Sequence, residues 1–403
     1  MKLVHARWLF DGEEVRENLA FAYDTVIEEV GPFEVLETRH PQAEVVHLGA
    51  DEVAMPGLVN PHVHLEFGAN TTQLRYGDFM TWLNSVIERR DELVEACRAG
   101  CYKRQVESML ESGVTAFGAV SSYGKELAAC RAAPQRVVYF NEAIGSQPAA
   151  VDALYSDFMQ RLEASARGAS DRFVPAVAIH SPYSVHPVLM KKILSETRGM
   201  PLSAHFLESP AEAAWLNHGT GPFRGFFENF LKQTAPLQTP EAFLEALDRP
   251  ALLVHAVQAE PSHFETMAKA GHSVVHCPRS NRLLGCGRLP LETVREAGVS
   301  WSLGTDGLSS NTSLNLWEEM RAALVLHHAA PLEPFARELL RAATSRAAEA
   351  LGLTTGRIAE GRPADFITLK LPGAVDSADA LPLQAVLHTA RAQTVTIQGK
   401  RHV

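Results

Sequence analysis

Two histidines one residue apart, His62 and His64, close the apolar run AMPGLVNPHVH. In an extended strand, residues i and i+2 project to the same side, so such a pair offers two imidazole nitrogens to one ion. Many HxH pairs are surface accidents. Here Pro56-Gly57 before the pair and Asn60-Pro61 beside it mark the end of a buried strand. His205, in PLSAHFLES, offers a third nitrogen, and Glu208 follows three residues later. A carboxylate just past a strand can reach both an ion's water and a substrate nitrogen; otherwise it is a solvated loop residue. Asp306, in VSWSLGTDG, can ligate an ion and accept a proton from water. His255 ends LLVHAV, where a lone histidine is more often a satisfied core residue unless the strand opens onto a site. Three nitrogens and one carboxylate suit a borderline ion better than magnesium or calcium. The expectation is one divalent metal ion held by His62, His64, His205 and Asp306, Zn2+ with Fe2+ as the other ion accepted by such ligands. Glu208, His255 and Asp306 would be the catalytic groups.

These side chains need a scaffold that brings distant segments together. Between residues 54 and 357, eight short apolar or β-branched runs alternate with helical stretches: AMPGLVNPHVH, VTAFGAV, RVVYFNEAI, FVPAVAIHS, PLSAHFLES, ALLVHAVQ, SVVHCPRS and VSWSLGTDG. Alternation of this kind predicts a parallel sheet, and eight units predict an α/β fold of the (β/α)8 TIM-barrel type. Most of the runs end in polar groups: His62 and His64, Glu142, His180, His205 and Glu208, His255, His276, Asp306. The C-terminal ends of barrel strands form the active face, so these groups are expected at one mouth. In DFMTWLNSVIERRDELVEACRAGCYKRQVESMLESG, apolar residues recur every three or four positions, which predicts helix. Residues 1–53 and 358–403 show alternating patterns with turn signals instead, and are expected to meet in one small β-sandwich domain.

Composition excludes some classes of partner. The 403 residues carry 37 basic and 47 acidic side chains, a net charge of −10, with no basic stripe. That argues against nucleic acid or an anionic membrane as partner and leaves a small molecule. No apolar run approaches the ~20 residues of a membrane span, and the N-terminus lacks a signal-peptide core. The five scattered cysteines, Cys97 and Cys101 among them, read as small buried hydrophobes in a reducing compartment. A cytoplasmic enzyme is the expectation.

The motifs PGLVNPHVH, HFLES, HAV, HCPRSN and GTDG, in this order, resemble the amidohydrolase superfamily across essentially the whole chain. The resemblance implies a barrel with a sandwich built from both termini. Members with two ions place a carboxylated lysine at the end of the fourth strand; FVPAVAIHSPYS has no lysine and ends in His180. His205 paired with Glu208, together with HSPYS and HCPRSN, resembles the mononuclear deaminase branch, in which the histidine at His180 faces the substrate. The loop HLEFGANTTQLRYGDFMTWLNSVIERRDEL resembles that of aminodeoxyfutalosine deaminases, enzymes of a menaquinone route that act on a 6-amino purine nucleoside with a benzoate-like tail. This implies substrate contacts from Glu66, Trp82, Glu142 and His180, with Arg279 and Arg75 as candidates for the tail carboxylate. It implies a hydrolytic deaminase releasing ammonia. The alternatives are deaminases of adenosine, S-adenosylhomocysteine or guanine, a triazine chlorohydrolase, and a silent barrel acting as scaffold. Barrels of this type are often homodimers.

Overall fold

A computed structural model describes residues 1–403. Its centre is an eight-stranded parallel sheet in chain order: Leu58–His64, Val114–Ser121, Arg136–Ala143, Phe173–Ile179, Leu202–Phe206, Leu252–His255, Ser273–His276 and Ser300–Leu303. These are the eight expected runs. Every residue of the second and third strands is buried, because a barrel covers its strands on both faces. Inside, Val59, Ala116, Val138, Phe140, Ala176, Leu252, Val254 and Val275 form one cluster. Outward residues such as Phe117 and Tyr139 join the large core under the helices. The first and last strands meet through bonds just beyond the eighth. Asp306 N–H donates to the His62 carbonyl at 3.2 Å, and Asn60 and Thr305 exchange two bonds of 2.7 and 3.2 Å.

The long amphipathic stretch after the first strand becomes two helices. Phe79–Ala96 starts where Asp78 accepts from Thr81 N–H at 2.9 Å. It stops at Cys97 and Arg98, whose non-helical backbones, extended at Arg98, break the pattern before Ala99–Ser112. Cys97 and Cys101 bridge this break as a disulfide, with Cα atoms 5.2 Å apart. That corrects the expectation of two free thiols on one helix. Four-residue spacing on an unbroken helix gave no hint of the pairing; the break re-aims Cys97. The other three cysteines are free and buried.

The termini build one mixed eight-stranded sheet from Lys2–Phe10, Val15–Tyr23, Ile27–Gly31, Glu44–His47, Glu52–Pro56, Phe366–Lys370, Thr394–Ile397 and Lys400–Arg401. The strands bearing Phe21 and Phe366 are three places apart, about 14 Å in a flat sheet. Their rings nevertheless touch at 5.0 Å, so the sheet curls until its own faces pack together. A buried pair, Arg136 Nε to Asp365 Oδ2 at 2.6 Å, ties it to the third barrel strand. No helix is long and apolar enough to cross a membrane.

Candidate metal centre and active site

The strand ends bring five potential ligands together. His62, His205 and His255 form one mutually close set, and His62, His64 and Asp306 another, with ligand atoms within 4.8 Å of one another in each. His62 Nε2 lies 3.5 Å and His64 Nε2 3.8 Å from Asp306 Oδ1. His64 Nε2 and His205 Nε2 face each other at 3.2 Å. Two nitrogens bonded to one ion at ~2.0–2.1 Å stand about 3.3 Å apart at tetrahedral angles, so this spacing suits a shared ion. Both ring nitrogens of His62 are buried without a hydrogen-bond partner. An orphaned buried imidazole is costly unless something ligates it, and a divalent metal fits that demand. The histidine–aspartate cluster therefore fits a divalent-metal site.

Groups behind the cluster hold it in the required form. His205 Nδ1 donates to the His180 carbonyl at 2.9 Å, so its Nε2 keeps a free lone pair. His255 Nδ1 is 2.8 Å from Asn281 Oδ1, which leaves its Nε2 turned to the site. Ser280 and Ser310 each donate to Asp306 Oδ2 at 2.7 Å, and Gly307 N–H donates to Oδ1 at 2.9 Å. A Cβ on Gly307 would sit 2.8 Å from the His64 carbonyl oxygen, which explains the glycine in GTDG. Burial pushes His62 and His255 down to about 4 and His64 down to about 3, so these imidazoles are neutral near pH 7, as ligands must be. Burial alone would raise Asp306, but adjacent His62, His64 and His255 hold it well below the usual carboxylate range.

The backbone is strained where these groups emerge. Of eight non-glycine residues with positive φ, five (Phe67, Leu207, His255, Ala256 and Asp306) follow or end barrel strands at this mouth. Such conformations cost ~1–3 kcal/mol each and persist where surrounding bonds impose them. One such support is Glu212. Its buried carboxylate accepts Leu207 N–H at 3.1 Å and Glu208 N–H at 2.8 Å, fixing the turn that aims Glu208 inward. Burial raises Glu212 to about 7. Glu208 Oε1 ends 3.6 Å from His255 Nε2. Burial first, then the charges of Asp306 and Glu212, pushes Glu208 well above its ordinary value, toward the protonated form. Replacing Glu212 by Ala orphans two buried amides. The expected loss is about 2–4 kcal/mol of unfolding free energy, read by urea denaturation, with a smaller loss for Glu212→Gln.

The cluster forms one end of a 590 Å³ cavity. A larger surface depression of 790 Å³ beside His388 and Arg391 holds none of these groups. The arrangement offers a metal site, an acid–base carboxyl and a largely apolar chamber for an organic substrate. The chain matches the Amidohydrolase family over residues 53–401. The chain belongs to this family. Among its relatives, the amidohydrolase is 41% identical over the full length of both chains to an aminodeoxyfutalosine deaminase of a Nitratiruptor species. Its structure is similar to that of Helicobacter pylori aminofutalosine deaminase in complex with methylthio-coformycin, with a TM-score of 0.94, 30% identity and all of both chains covered. An adenosine deaminase from Xanthomonas campestris with bound zinc matches at a TM-score of 0.83 and 25% identity, over 99% of this chain and 92% of that one.

Within the amidohydrolase cavity stand most residues singled out from the sequence: His64, Glu66, Trp82, Glu142, His180, His205, Glu208, His255 and Asp306. Glu66 Oε1 accepts the main-chain N–H groups of Ser122 and Tyr123 at 2.9 and 2.7 Å, leaving Oε2 for a ligand donor. Glu142 Oε1 is buried and unpartnered. Trp82 Nε1 donates to the Ser309 carbonyl at 2.8 Å, so its indole is fixed as a wall. His180 is held through Nδ1 by the Ser184 hydroxyl at 2.5 Å. Two arginines named as candidates for the substrate tail do not line the cavity. Arg279 is bound to Glu318 and Ser313 and does not line the cavity. Arg75 is exposed, 3.8 Å from Glu88. Arginine type alone could not locate them, because both lie in segments whose paths are set by neighbouring helices. His276 turns to a core partner, His327, at 3.1 Å. The supports Ser280 and Asn281 were visible only as part of HCPRSN, Arg90 only as part of the long loop after His64, and Glu212, Ser310 and Tyr123 carried no motif at all.

Proposed function

We propose that the chain is a metal-dependent hydrolytic deaminase of 6-aminopurine nucleosides, with 6-amino-6-deoxyfutalosine as its preferred substrate. The observation that carries the reaction is the Glu208–His255–Asp306 constellation beside the histidine cluster at the closed end of the cavity. The names of the 41% identical relative and of the matching structures agree with this chemistry and supply the substrate.

His62, His64, His205 and Asp306 would hold the ion, and zinc is its proposed identity given the zinc-bound neighbour. Bound there, a divalent ion supplies Lewis acidity that makes water a nucleophile near neutral pH. Asp306 and His255, whose ligand atoms lie within 4.8 Å of each other, orient the attacking water and take its proton. Glu208, whose burial favours its neutral form, hands a proton to the ring nitrogen next to C6 as water adds to that carbon. A C–O bond forms at C6; the proton taken from the water passes to the 6-amino group, the C–N bond breaks and ammonia leaves, and the hydroxyl proton of the adduct returns to Glu208 as the base becomes its 6-oxo counterpart. His180 faces the base, and Glu66 has a free oxygen for a sugar hydroxyl. The amidohydrolase carrying out this chemistry would need no second ion, as the fourth strand provides no lysine.

An ammonia-release panel tests the reading: the aminofutalosine precursor, adenosine, methylthioadenosine, S-adenosylhomocysteine and guanine with the zinc-loaded enzyme. The expected result is highest kcat/KM with the aminofutalosine precursor. Preference for adenosine would overturn the substrate, and no ammonia from any of them would overturn the deaminase.

A further inference from the structure

Away from the barrel mouth, the terminal sheet carries a second pair of facing imidazoles. His5 lies within Lys2–Phe10 and His47 ends Glu44–His47. The two strands run parallel, with His5 in register with His47. Residues in register on parallel neighbours project to the same face, with backbones ~4.8 Å apart. The two Nδ1 atoms approach to 3.2 Å. His64 and His205 Nε2 in the catalytic cluster stand at the same separation, which suits two nitrogens each ~2.0–2.1 Å from one ion.

The surroundings hold both rings in place and leave them reachable. Phe33, the first residue of the helix Phe33–Arg39, stacks on His5 with centroids 4.6 Å apart and meets His47 edge-on at 5.0 Å. His5 is half-buried and His47 exposed, so an ion and its water can enter from solvent. A neutral imidazole carries one N–H and one lone pair. With both protons on Nε2, two lone pairs would face each other across the gap. A shared cation removes that repulsion, and so does one proton held between the rings; only the first takes up metal from solution. The strand Glu44–His47 pairs with Lys2–Phe10 alone in the sheet, so an ion between the histidines would clamp its end.

We propose that His5 and His47 form a second, exchangeable site for a borderline divalent cation such as Zn2+, with water completing the coordination. Imidazole ligands select such ions over Mg2+ and Ca2+. Two neutral nitrogens near the surface hold an ion more weakly than three nitrogens and a buried carboxylate. This ion therefore leaves on dialysis, while the catalytic one stays. When bound, it ties a short outlying strand to the first strand of the terminal sheet. The site stands apart from the deaminase reading, which concerns the barrel mouth.

The test titrates dialysed, zinc-loaded enzyme with Zn2+ by calorimetry, using wild type, His5→Gln, His47→Gln and His218→Gln. His218 is an exposed histidine at the end of the helix Pro210–His218 and serves as control. Wild type and His218→Gln are expected to take up one further ion per chain. His5→Gln and His47→Gln should each bind it at least about tenfold more weakly, and Mg2+ should give no binding to any of them. At an ion concentration tenfold above Kd, Tm should rise by about 2 °C in wild type and not in the two site variants. Retention of the catalytic ion and a cooperative melting transition show that the variants fold. No further ion in wild type leaves the pair as a hydrogen bond and overturns the site. Uptake that is the same in all four proteins, or that falls equally in His218→Gln, means an adventitious surface ion only and overturns it as well.

Discussion

Replacing Glu208 by Gln lowers kcat by about 10²–10⁴-fold, the usual worth of a positioned proton donor, while metal content stays at one ion per chain. The change is chemical and not steric. Glutamine fills the same volume and keeps the turn held by Glu212, but it carries no transferable proton. Glu208 Oε1 is 3.6 Å from His255 Nε2 and sits near Asp306, so any loss of function could reflect a disturbed ligand set. Metal analysis separates the two cases. Thermal stability should be unchanged or slightly higher, because an ionisable group beside Asp306 and Glu212 is replaced by a neutral one. Activity within about tenfold of wild type, with metal retained, would refute the role of Glu208.

The second large effect concerns Asp306. Asp306→Ala removes the only carboxylate among the four assigned ligands, and the protein is expected to lose its ion on dialysis. Activity falls by about 10³-fold or more, since the Lewis acid provides several kcal/mol and each 1.36 kcal/mol is tenfold. Ser280 and Ser310 lose their acceptor as well, which costs about 1 kcal/mol each in stability. To separate metal loss from misfolding, the wild-type ion is stripped with a chelator and restored. Wild type should regain activity with Zn2+, and parallel addition of Fe2+ tests the other borderline ion. A variant that keeps both metal and turnover would show that Asp306 is not a ligand.

Much of this arrangement is legible in the chain. The eight barrel runs are visible because strands buried on both faces must be nearly all apolar, and polar groups at their ends stand out against that background. Spacing identified the HxH pair, the His205–Glu208 pair and GTDG because chemistry at a strand end depends on local geometry. That both termini carry β-structure was legible in their alternating patterns, though its closure as one curled sheet was not, since curvature is set by packing of Phe21 on Phe366.

What stayed hidden is of another kind. Arg75, Arg90 and Arg279 look alike in sequence. Only the fold shows that Arg279 is bound by Glu318, that Arg75 points to Glu88, and that Arg90 alone reaches the cavity. The helix break that lets Cys97 meet Cys101 has no periodic signature either. By itself, the sequence determined the family, the barrel and the chemistry of the strand ends, because these depend on residue type and short-range spacing. The tertiary structure decided which charges line the cavity and which brace the loops, because that depends on how segments far apart in the chain pack around one another.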